Sequence, residues 1–424
     1  MSSTASTSSA HLPSDAPAGD IVIIGGGHAA AQLCSGLVEA GLGSRVHLVC
    51  EEPTLPYQRP PLSKAFLKKP DEALQLHRAA EWYAEAGIRV HLADPAIAID
   101  RDHRTVTLRS GAVLPWHRLV LATGTRARRL PGLVDGLVNV VSLRSALDAT
   151  HLRERMSAAD RVTVLGGGFI GLEVAATAIA LGKPVTLLEA APRLMGRAVS
   201  PALSAHVLAV HQTAGMVIHL GAALGAWRIE GDRVVAVEVD GREEPVDLLL
   251  LAIGAVPETA LAEAAGLTCQ DGIVVDKLMQ TSDPAVLAVG DCTRFPDPRA
   301  AQPLRLESVQ NAGDQARTAV ATLTGAHKPH AALPWFWSEQ GAMRLQMAGL
   351  VPAAGTAEHV SVRRPGASDA SFSLLHYVGE KLVCVESVNA PMDHMMSRKL
   401  IEADRHPAPA LAADPAVALK AHLG

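Results

Sequence analysis

The sequence is poor in aromatic residues and has no long apolar run. Aromatic side chains make up 3% of the 424 residues, whereas hydrophobic residues as a whole make up 48%. Aliphatic side chains and 35 glycines supply the difference, a balance that favours parallel sheets covered by helices over all-β sandwiches. Even the stretch VDLLLLAIGAV (246–256) is about half the length that a membrane span needs. We therefore expect an α/β protein with no membrane partner.

Cysteine is also scarce, and no two cysteines have the C-x-x-C or similar spacing of a redox dithiol or a zinc site. An odd, dispersed set predicts reduced and mostly buried thiols, with no metal centre. The five are Cys34, Cys50, Cys269, Cys292 and Cys384.

Charge and leader sequence exclude further classes. The net charge of −5 and the pI near 6.4 give no general attraction to nucleic acid. Residues 1–18 are rich in Ser, Ala and Pro but lack the apolar core of a secretory signal, so they predict a disordered leader. A cytoplasmic location is expected.

Two segments share a pattern of strand, glycine turn and helix. The first is DIVIIGGGHAA (20–30), and its next strand leads to Glu51. The second is VTVLGGGFIG (162–171), and its next strand leads to Glu189. Each has the length of a βαβ dinucleotide-binding unit, so the chain is predicted to carry two dinucleotide sites.

The residues of the first motif have separate tasks. Gly25 permits the tight turn, Gly27 lets the backbone approach a pyrophosphate, and Ala30 lies where the helix packs closely on the strand. The helix N-terminus adds N–H groups and a positive dipole for the phosphates. Glu51 and Glu189 are each predicted to lie at the end of the second strand of their unit, where a carboxylate accepts hydrogen bonds from an adenosine ribose.

Glu189 favours NADH over NADPH, because a carboxylate beside the ribose 2′ position repels a 2′-phosphate. Arg193 and Arg197 follow closely and offer the alternative, since either could bind that phosphate. They could equally be solvated surface cations. The preference for NADH is therefore a hypothesis, and binding of NADPH through one of these arginines is its alternative.

Further along the chain, apolar strands end in glycine turns at 119–124 and 248–254, which indicates returns between domains. The strand in 283–291 ends in Asp291, at the edge where open α/β sheets bind ligands. After about residue 330 the glycine turns stop. Short alternating strands, for example at 372–377 and 381–388, then predict a domain of α+β type.

Taken together, these residues resemble the ferredoxin reductases of bacterial oxygenase systems, within the FAD-dependent pyridine nucleotide reductases. The resemblance extends from Asp20 to beyond Arg398. Six motifs carry it: RPPLSK (59–64), LATGT (121–125), GGGFIGLEVAATA (166–178), QTSDPAVLAVGDC (280–292), ESVQNA (307–312) and PWFWS (334–338). One departure is Ala30, where many relatives have glycine.

The resemblance implies a glutathione reductase-like α/β fold with two Rossmann-like dinucleotide-binding domains and a C-terminal α+β domain. The disordered leader is followed by an FAD-binding domain in two segments and an inserted NAD-binding domain. The predicted boundaries are 1–18 for the leader, 19–125 and 255–330 for the FAD domain, 126–254 for the NAD domain and 331–424 for the C-terminal domain.

The resemblance also implies the cofactors, FAD and NADH, and the residues that bind them. The implied FAD contacts are Gly25, Gly27, Ala29, Glu51, Lys64, Ile97, Arg144, Asp291, Val309 and Trp337. The implied NAD contacts are Gly166, Gly168, Ile170, Gly171, Glu189, Arg197 and Gly254.

Three residues are implied to act on the chemistry itself. Lys64 would stabilise the reduced flavin ring, Glu173 would pair with Lys64, and Trp337 would shield the flavin with its ring edge. The residues alone leave other interpretations open. Lys64 could be a solvated surface lysine, and Trp337 belongs to an aromatic cluster of a kind that is more often core.

The implied function is transfer of electrons from NADH through FAD to a [2Fe–2S] ferredoxin that serves a cytochrome P450 or a Rieske oxygenase. Disulfide reductases carry a C-x-x-x-x-C pair soon after the first glycine motif, and this chain does not, so electrons must leave the flavin for a one-electron acceptor. The alternatives are a rubredoxin reductase, an NADH oxidase and, from another class, a flavin redox sensor like relatives of apoptosis-inducing factor.

The family meets acidic ferredoxins with cations from two regions, which here hold Arg317, Arg398 and Lys399. Any one of these taken alone would be an ordinary solvated cation. The chain is expected to be a monomer or a weak dimer.

Overall fold

The structure is a computed structural model that describes residues 19–133 and 136–423. The predicted disordered leader lies outside the described residues. The chain divides into two compact units, of which the first comprises the described residues of Met1–Gln58, Leu76–Thr125 and Pro257–Ala332. The second comprises those of Arg59–Gln75, Arg126–Val256 and Leu333–Gly424.

The described strands are numbered along the chain: β1 (Ile21–Ile24), β2 (Val46–Val49), β3 (Arg89–His91), β4 (Ala96–Asp100), β5 (Thr105–Leu108), β6 (Val113–Pro115), β7 (Arg118–Leu121), β8 (Thr125–Ala127), β9 (Val140–Val141), β10 (Val162–Leu165), β11 (Val185–Glu189), β12 (Val217–Leu220), β13 (Leu224–Glu230), β14 (Arg233–Val239), β15 (Arg242–Pro245), β16 (Leu248–Leu251), β17 (Ala255–Pro257), β18 (Ile273–Val274), β19 (Val286–Ala288), β20 (Thr293–Arg294), β21 (Trp335–Gln340), β22 (Met343–Gly349), β23 (His359–Pro365), β24 (Phe372–Val378) and β25 (Lys381–Val388).

The described α-helices are α1 (His28–Glu39), α2 (Ala65–Lys68), α3 (Ala80–Glu85), α4 (Ala146–Ala158), α5 (Phe169–Ala180), α6 (Pro201–Thr213), α7 (Ala260–Ala264), α8 (Val309–Leu323), α9 (Pro391–Glu402) and α10 (Pro409–Ala413). Short 3-10 helices lie at Gly43–Arg45, Pro60–Ser63 and Leu419–His422.

The first unit is built on a parallel sheet with the strand order β19-β7-β1-β2-β3. Every residue of β1 and β2 is buried, as expected for strands covered on both faces. Helices α1 and α8 contribute Leu33, Leu37 and Ala316 to the same core. Ser308 caps α8, because its side chain accepts the backbone N–H of Asn311.

The second unit contains a parallel sheet with the strand order β12-β11-β10-β16-β9. Helix α5 follows β10 through the second glycine turn, and Leu172, Val174 and Ala175 of this helix are fully buried. Ser200 caps α6 and Pro201 occupies its first position, a sequence signal of a helix start. This half of the unit therefore repeats the strand, turn and helix pattern of the first unit.

The C-terminal part of the second unit is an antiparallel sheet with the order β21-β22-β25-β24-β23. Helix α9 packs on it through Leu400, which shares a core with Tyr377 and Val385. Met343 and Phe372 belong instead to the core that contains α5 and α6. The change from parallel to antiparallel strands occurs where the sequence predicts an α+β region.

The predicted strands at 372–377 and 381–388 correspond to β24 and β25. Three-stranded antiparallel sheets, β4-β5-β6 and β13-β14-β15, were not predicted. Residues 59–75, which the prediction assigns to the FAD domain, cluster with the second unit. The division into three domains stays a prediction.

In the described parts of the chain, no helix is long and apolar enough to cross a membrane.

Candidate functional site

The first glycine turn joins β1 to α1 and leaves space at its tip. Gly25 has φ +124°, and a Cβ there would lie 2.1 Å from the carbonyl oxygen of Ala122. Gly27 differs, because an added Cβ would meet nothing within 4 Å. Gly25 is therefore required by the fold, whereas Gly27 keeps open the space in front of the α1 N-terminus, as a dinucleotide pyrophosphate requires.

The turn that carries Asp291 comes close to the first turn of α1. Gly290, at φ +85°, approaches so closely that a Cβ there would lie 3.3 Å from the Cβ of Ala29. The buried side chain of Gln315 on α8 fixes this turn by accepting the N–H of Gly290 at 2.7 Å. Val309 begins α8 in the same unit. The first unit thus brings Ala29 close to the turn that holds Asp291.

Two further predicted FAD contacts of the first unit are exposed. Ile97 on β4 is 55% exposed, which is high for an isoleucine. Glu51 is also exposed, and among the described residues its carboxylate has no hydrogen-bond partner. Its oxygens are therefore available to ribose hydroxyls.

The second glycine turn joins β10 to α5 and repeats the geometry of the first. A Cβ on Gly166, at φ +108°, would lie 2.3 Å from the Ala252 carbonyl oxygen, and one on Gly168 would meet nothing within 4 Å. A Cβ on Gly171 would lie 2.2 Å from the Gly166 carbonyl oxygen. Helix α5 therefore needs glycine at a position where α1 accommodates the buried Ala30.

Glu51 and Glu189 differ by one residue in their register within the two units. In the strand registers Ile24 pairs with Val49 and Leu165 pairs with Leu188, so Glu189 is equivalent to Cys50. Glu189 is the last residue of β11, whereas Glu51 lies two residues beyond the end of β2.

The carboxylate of Glu189 is part of the second glycine turn. It accepts backbone N–H groups of Gly167 at 2.6 Å and Ala191 at 2.7 Å. A carboxylate has about four acceptor positions. Glu189 can therefore still accept hydrogen bonds from a ribose while it holds the turn.

The structure distinguishes the two arginines that follow Glu189. The Arg193 guanidinium donates to the carbonyl oxygens of Gly196 and Val199 and so belongs to its own loop. Arg197 is exposed, and its Nη2 lies 3.7 Å from the position of a Cβ on Gly254, which has φ +101°. Of the two, Arg197 is the one that remains available to a nucleotide. Ile170, also predicted to contact NAD, is 45% exposed on α5.

Lys64 and Glu173, predicted to pair, are in contact within the second unit. Lys64 Nζ lies 2.6 Å from Glu173 Oε2 and also donates to the Pro60 carbonyl oxygen and Ser63 Oγ. Only 4% of the Glu173 side chain is exposed. An ionised carboxylate at such a site needs a cation and hydrogen-bond donors to offset its lost hydration.

Two serines complete the surroundings of Glu173, and the sequence did not indicate either. Ser63 Oγ donates to Oε2 at 2.5 Å, and Ser338 Oγ donates to Oε1 at 2.7 Å. Both lie within motifs that carry the family resemblance, so their presence there was the available signal. What the sequence could not give was their convergence on one carboxylate.

The remaining predicted FAD residues of the second unit are Arg144 and Trp337. Arg144 precedes α4, and its backbone carbonyl oxygen accepts a hydrogen bond of 2.6 Å from Arg59. Trp337 is half-buried on β21, and its ring centroid lies 5.7 Å from that of Trp335. The predicted FAD residues are thus divided between the two units, and their roles stay predictions.

All five cysteines are free, as the sequence predicts. Cys50 lies behind the first glycine turn, since its Sγ is 2.9 Å from the position of a Cβ on Gly26. Burial raises the pKa of the Cys50 thiol to about 12, so it stays protonated at neutral pH. The buried thiols therefore provide no thiolate beside the dinucleotide turn.

A basic pocket of about 280 Å³ lies between α1 and α8 in the first unit. Its lining includes His28, His77, Arg78, Gln310 and Arg317. The rings of His28 and His77 meet edge to face with their centroids 4.7 Å apart. Burial, with Arg78 adding to the effect, lowers the pKa of His77, so this imidazole is neutral at neutral pH, while Arg78 and Arg317 bring positive charge to the pocket.

The three predicted partner-binding cations lie on two helices. Arg317 on α8 is 59% exposed and pairs with Asp314. On α9, Arg398 pairs with Glu402 at 2.9 Å and lies 4.9 Å from the ring centroid of Trp335, while Lys399 is exposed. Arg317 and Arg398 are thus held by acidic neighbours rather than extended freely into solvent.

Two open glycine turns with an acid near each, and a buried lysine–glutamate pair, define an oxidoreductase that binds two dinucleotides. Comparison of the chain with known protein families and structures agrees with this class. Residues 19–316 match the family model described as pyridine nucleotide-disulphide oxidoreductase, and residues 335–423 match the reductase C-terminal model. The chain belongs to the pyridine nucleotide-disulphide oxidoreductase family.

Its relatives are reductases of small electron carriers. The chain is 40% identical over 396 residues to rhodocoxin reductase of Rhodococcus erythropolis, covering 93% of this chain and 92% of the relative. The ferredoxin reductase for the CYP199A2 system of Rhodopseudomonas palustris superimposes with a TM-score of 0.90 at 41% identity, covering 96% of this chain and all of that one.

A second solved structure is the covalent complex of putidaredoxin reductase with putidaredoxin, which matches at a TM-score of 0.89 and 37% identity over 95% of this chain and 97% of that one. The predicted resemblance and fold class are confirmed. FAD and NADH are the cofactors of the family to which the chain belongs.

Proposed function

We propose that this protein passes electrons from NADH through FAD to a [2Fe–2S] ferredoxin that serves a cytochrome P450 or a Rieske oxygenase. The observation that carries the proposal is the pair of open glycine turns, at Gly27 and Gly168, in a chain whose described cysteines are all free. The turns provide for two dinucleotides. Without a dithiol to hold an electron pair, the flavin must deliver electrons directly to an acceptor outside the chain.

The first turn would hold FAD and the second would hold NADH. Gly27 precedes α1, Ala29 lies in its first turn, and the turn that holds Asp291 approaches Ala29. The N–H groups and dipole of this helix N-terminus favour a pyrophosphate. Gly168 has the place of Gly27 at the N-terminus of α5, and the Glu189 carboxylate beside it would select a ribose without a 2′-phosphate. FAD, when bound, accepts a hydride from NADH and releases its electrons one at a time.

Lys64 and Glu173 would control the charge beside the flavin. In the structure all three N–H bonds of the Lys64 ammonium have acceptors, namely Pro60, Ser63 and Glu173. Glu173 keeps a positive charge fixed at this place in the second unit. A fixed cation of this kind favours negative charge on a ring system beside it, which is the role proposed for Lys64. Trp337 is proposed to shield the flavin.

Docking of an acidic ferredoxin is supported by the basic pocket of the first unit. Arg78 and Arg317 place guanidinium groups in a concave site that Gln310, His28 and His77 also line. Guanidinium groups bind carboxylates through charge-assisted hydrogen bonds, so the pocket can accept an acidic side chain of a partner. Arg398 and Lys399 are proposed as a second set of docking cations. Electron-transfer interfaces are small and depend on complementary charge for their encounter rate. The proposal includes a monomer or weak dimer in the cytoplasm.

A stopped-flow comparison of acceptors tests the function. The protein with FAD bound is reduced with NADH under anaerobic conditions and then mixed with a [2Fe–2S] ferredoxin, with a rubredoxin or with air-saturated buffer. Fast reoxidation by the ferredoxin and slow reoxidation by air is the expected result. Faster reaction with rubredoxin or with oxygen would assign a rubredoxin reductase or an NADH oxidase, and NADH-driven dimerisation without reaction with any acceptor would assign a redox sensor.

A further inference from the structure

A row of buried polar side chains ends on the oxygen of Glu173 that faces away from Lys64. Ser338 Oγ lies 2.7 Å from Glu173 Oε1, and Gln340 Nε2 lies 3.2 Å from Ser338 Oγ. Gln340 Oε1 in turn lies 2.8 Å from His211 Nε2. We infer that Ser338, Gln340 and His211, here called the donor chain, are positioning residues that orient the Glu173 carboxylate toward Lys64.

The direction of every hydrogen bond in the donor chain follows from Glu173. An ionised carboxylate only accepts, so the single hydrogen of the Ser338 hydroxyl must point to Oε1. Ser338 Oγ then has no hydrogen left for its other neighbour and must accept one. The group beside it is therefore the amide nitrogen of Gln340, not the amide oxygen.

The orientation of the Gln340 amide fixes the state of His211. With its nitrogen toward Ser338, the amide presents Oε1 to the imidazole, and an amide oxygen only accepts. His211 Nε2 must therefore carry a hydrogen. The Gln340 amide nitrogen also donates to Met195 Sδ at 3.9 Å. Because a thioether sulfur is a weak acceptor and cannot donate, it agrees with the amide nitrogen, and not the amide oxygen, on this side.

Burial makes the donor chain hard to replace by water. Ser338, Gln340 and His211 are 0%, 2% and 3% exposed. Burial lowers the pKa of His211, which leaves the imidazole neutral at pH 7, with its one hydrogen on Nε2. Bonds that point the same way in a dry interior strengthen one another, so the carboxylate receives more than the effect of a single serine.

The donor chain connects two elements of the second unit, β21 and α6, to the carboxylate on α5. Ser338 and Gln340 lie two positions apart on β21, so their side chains share a face of the sheet, while Trp337, which precedes Ser338, belongs to the opposite face. His211 belongs to α6 and Glu173 to α5. Strand β21 therefore carries the tryptophan proposed to shield the flavin on one face and the donors of Glu173 on the other.

Holding Glu173 from both oxygens fixes the rotation of its carboxylate. Oε2 accepts from Lys64 and Ser63, while Oε1 accepts from Ser338. Without the bond to Oε1, the carboxylate can rotate and Lys64 can fall back on Pro60 and Ser63. The inference rests on the proposed function only for the role of Lys64 beside the flavin, because the hydrogen-bond directions are independent of any acceptor protein.

Nitrogen NMR of the FAD-loaded protein labelled in histidine tests the directions. At pH 7, His211 is expected in the tautomer with hydrogen on Nε2, and Gln340→Leu is expected to change the population of that tautomer. A wild-type His211 with its only hydrogen on Nδ1 would overturn the inference, whatever the variants do. This result does not depend on whether the protein reduces a ferredoxin.

Anaerobic reduction of the bound flavin by NADH tests the positioning role. Ser338→Ala and Gln340→Leu are expected to lower the limiting rate about 10- to 100-fold, the scale of a misplaced reacting group, and to leave the apparent Kd for NADH within about twofold. Ser338→Thr and His211→Gln keep a donor at the same place and are expected to recover most of the rate, whereas His211→Leu is not.

Ser373→Ala is the matched control. Ser373 is a fully buried serine on β24 of the same sheet, hydrogen-bonded to Ser387 at 2.7 Å and remote from the donor chain. Its loss is expected to leave the limiting rate unchanged. An equal loss of rate in Ser373→Ala and Ser338→Ala would reduce the donor chain to ordinary buried polar packing and overturn the inference, as would limiting rates within twofold of wild type in both Ser338→Ala and Gln340→Leu.

Discussion

Lys64 Nζ and Glu173 Oε2 lie 2.6 Å apart, and 19% of the Lys64 side chain is exposed compared with 4% of the Glu173 side chain. Removing one partner of a buried ion pair costs about 3–5 kcal/mol, because the other charge is left uncompensated. We therefore expect Lys64→Met to lower the free energy of unfolding by an amount of that order. Urea unfolding of the FAD-loaded protein measures it.

The double variant Lys64→Met with Glu173→Gln separates stability from chemistry. It removes both charges and is expected to recover most of the lost stability, because no buried charge remains. Flavin reduction by NADH should stay slow in it, since the cation is still missing. If the double variant reduces its flavin as fast as wild type, Lys64 has no role beside the flavin.

Gly27 tests FAD binding separately from folding. A Cβ on Gly27 meets no protein atom within 4 Å, so Gly27→Ala should keep the stability of the FAD-free protein within about 1 kcal/mol. The methyl group enters the space proposed for the pyrophosphate and should weaken FAD binding by about 1–3 kcal/mol. Titration of the FAD-free protein with FAD measures this loss.

Gly25→Ala is the matched variant for Gly27→Ala. Its Cβ would lie 2.1 Å from the Ala122 carbonyl oxygen at a φ of +124°, so it should destabilise the fold itself. If Gly27→Ala binds FAD as tightly as wild type, the cofactor does not pass where we propose.

Glu189 tests the choice of nicotinamide cofactor. Glu189→Ala should narrow the gap in kcat/KM between NADH and NADPH by about 1–3 kcal/mol, the scale of a lost hydrogen-bonded carboxylate contact. Some activity with both cofactors should also be lost, because Gly167 and Ala191 lose their acceptor. A wild-type protein that uses NADPH as well as NADH would refute the role of Glu189 and direct attention to Arg197.

Arg317 tests the docking surface. Arg317→Glu should lower ferredoxin-dependent turnover at low salt about tenfold or more, because the new carboxylate repels an acidic ferredoxin as it approaches. The NADH:ferricyanide activity should stay nearly intact, since it needs no ferredoxin docking. The wild-type rate should fall as salt rises, because screening weakens the attraction. Arg228→Glu is the control, as Arg228 is similarly exposed and paired with acids but lies on β13. Equal effects of both substitutions would exclude Arg317 from the docking site.

His394 on α9 gives a prediction for acid stability. Burial lowers the pKa of His394 from 6.5 to about 4, and Arg398 and Arg344 add to the shift. Between these pH values the unfolded chain binds a proton that the folded chain does not, so the free energy of unfolding falls as the pH falls. The contribution of neutral His394 to the free energy of unfolding is therefore fully present above pH 6.5 and is lost as the pH falls toward 4.

Replacing His394 should remove its share of this acid sensitivity. His394→Leu is expected to reduce the fall in unfolding free energy between pH 7.5 and pH 4 by about 3 kcal/mol, at about 1.4 kcal/mol for each unit of pKa shift. Urea unfolding at the two pH values gives the comparison. An unchanged pH dependence would mean that His394 titrates normally in the folded protein.

Local backbone demands could be predicted from the sequence because the residues that meet them are adjacent in the chain. Gly25 and Gly166 have positive φ angles where the motifs require tight turns, and Gly27 and Gly168 face open space where a ligand must approach. The one-residue difference in register between Glu51 and Glu189 could not be predicted, because it depends on strand pairing with β1 and β10, which the apolar runs alone do not specify.

Long-range convergence could not be predicted. Ser338 and Glu173 are 165 residues apart, and His211 and Gln340 are 129 apart, with no local pattern that couples them. Only the fold brings them to one buried place. The three-stranded sheets β4-β5-β6 and β13-β14-β15 were missed because strands such as β4 and β13 are largely exposed, so their apolar alternation is weak.

Counting electrons tests most directly whether the protein passes electrons from NADH to a [2Fe–2S] ferredoxin. A catalytic amount of the protein is mixed anaerobically with excess [2Fe–2S] ferredoxin and a limiting amount of NADH, and cluster reduction is measured by absorbance and electron paramagnetic resonance. About two reduced ferredoxins are expected for each NADH consumed, because a hydride carries two electrons and the cluster accepts one. Consumption of NADH without reduction of the cluster would contradict this electron transfer.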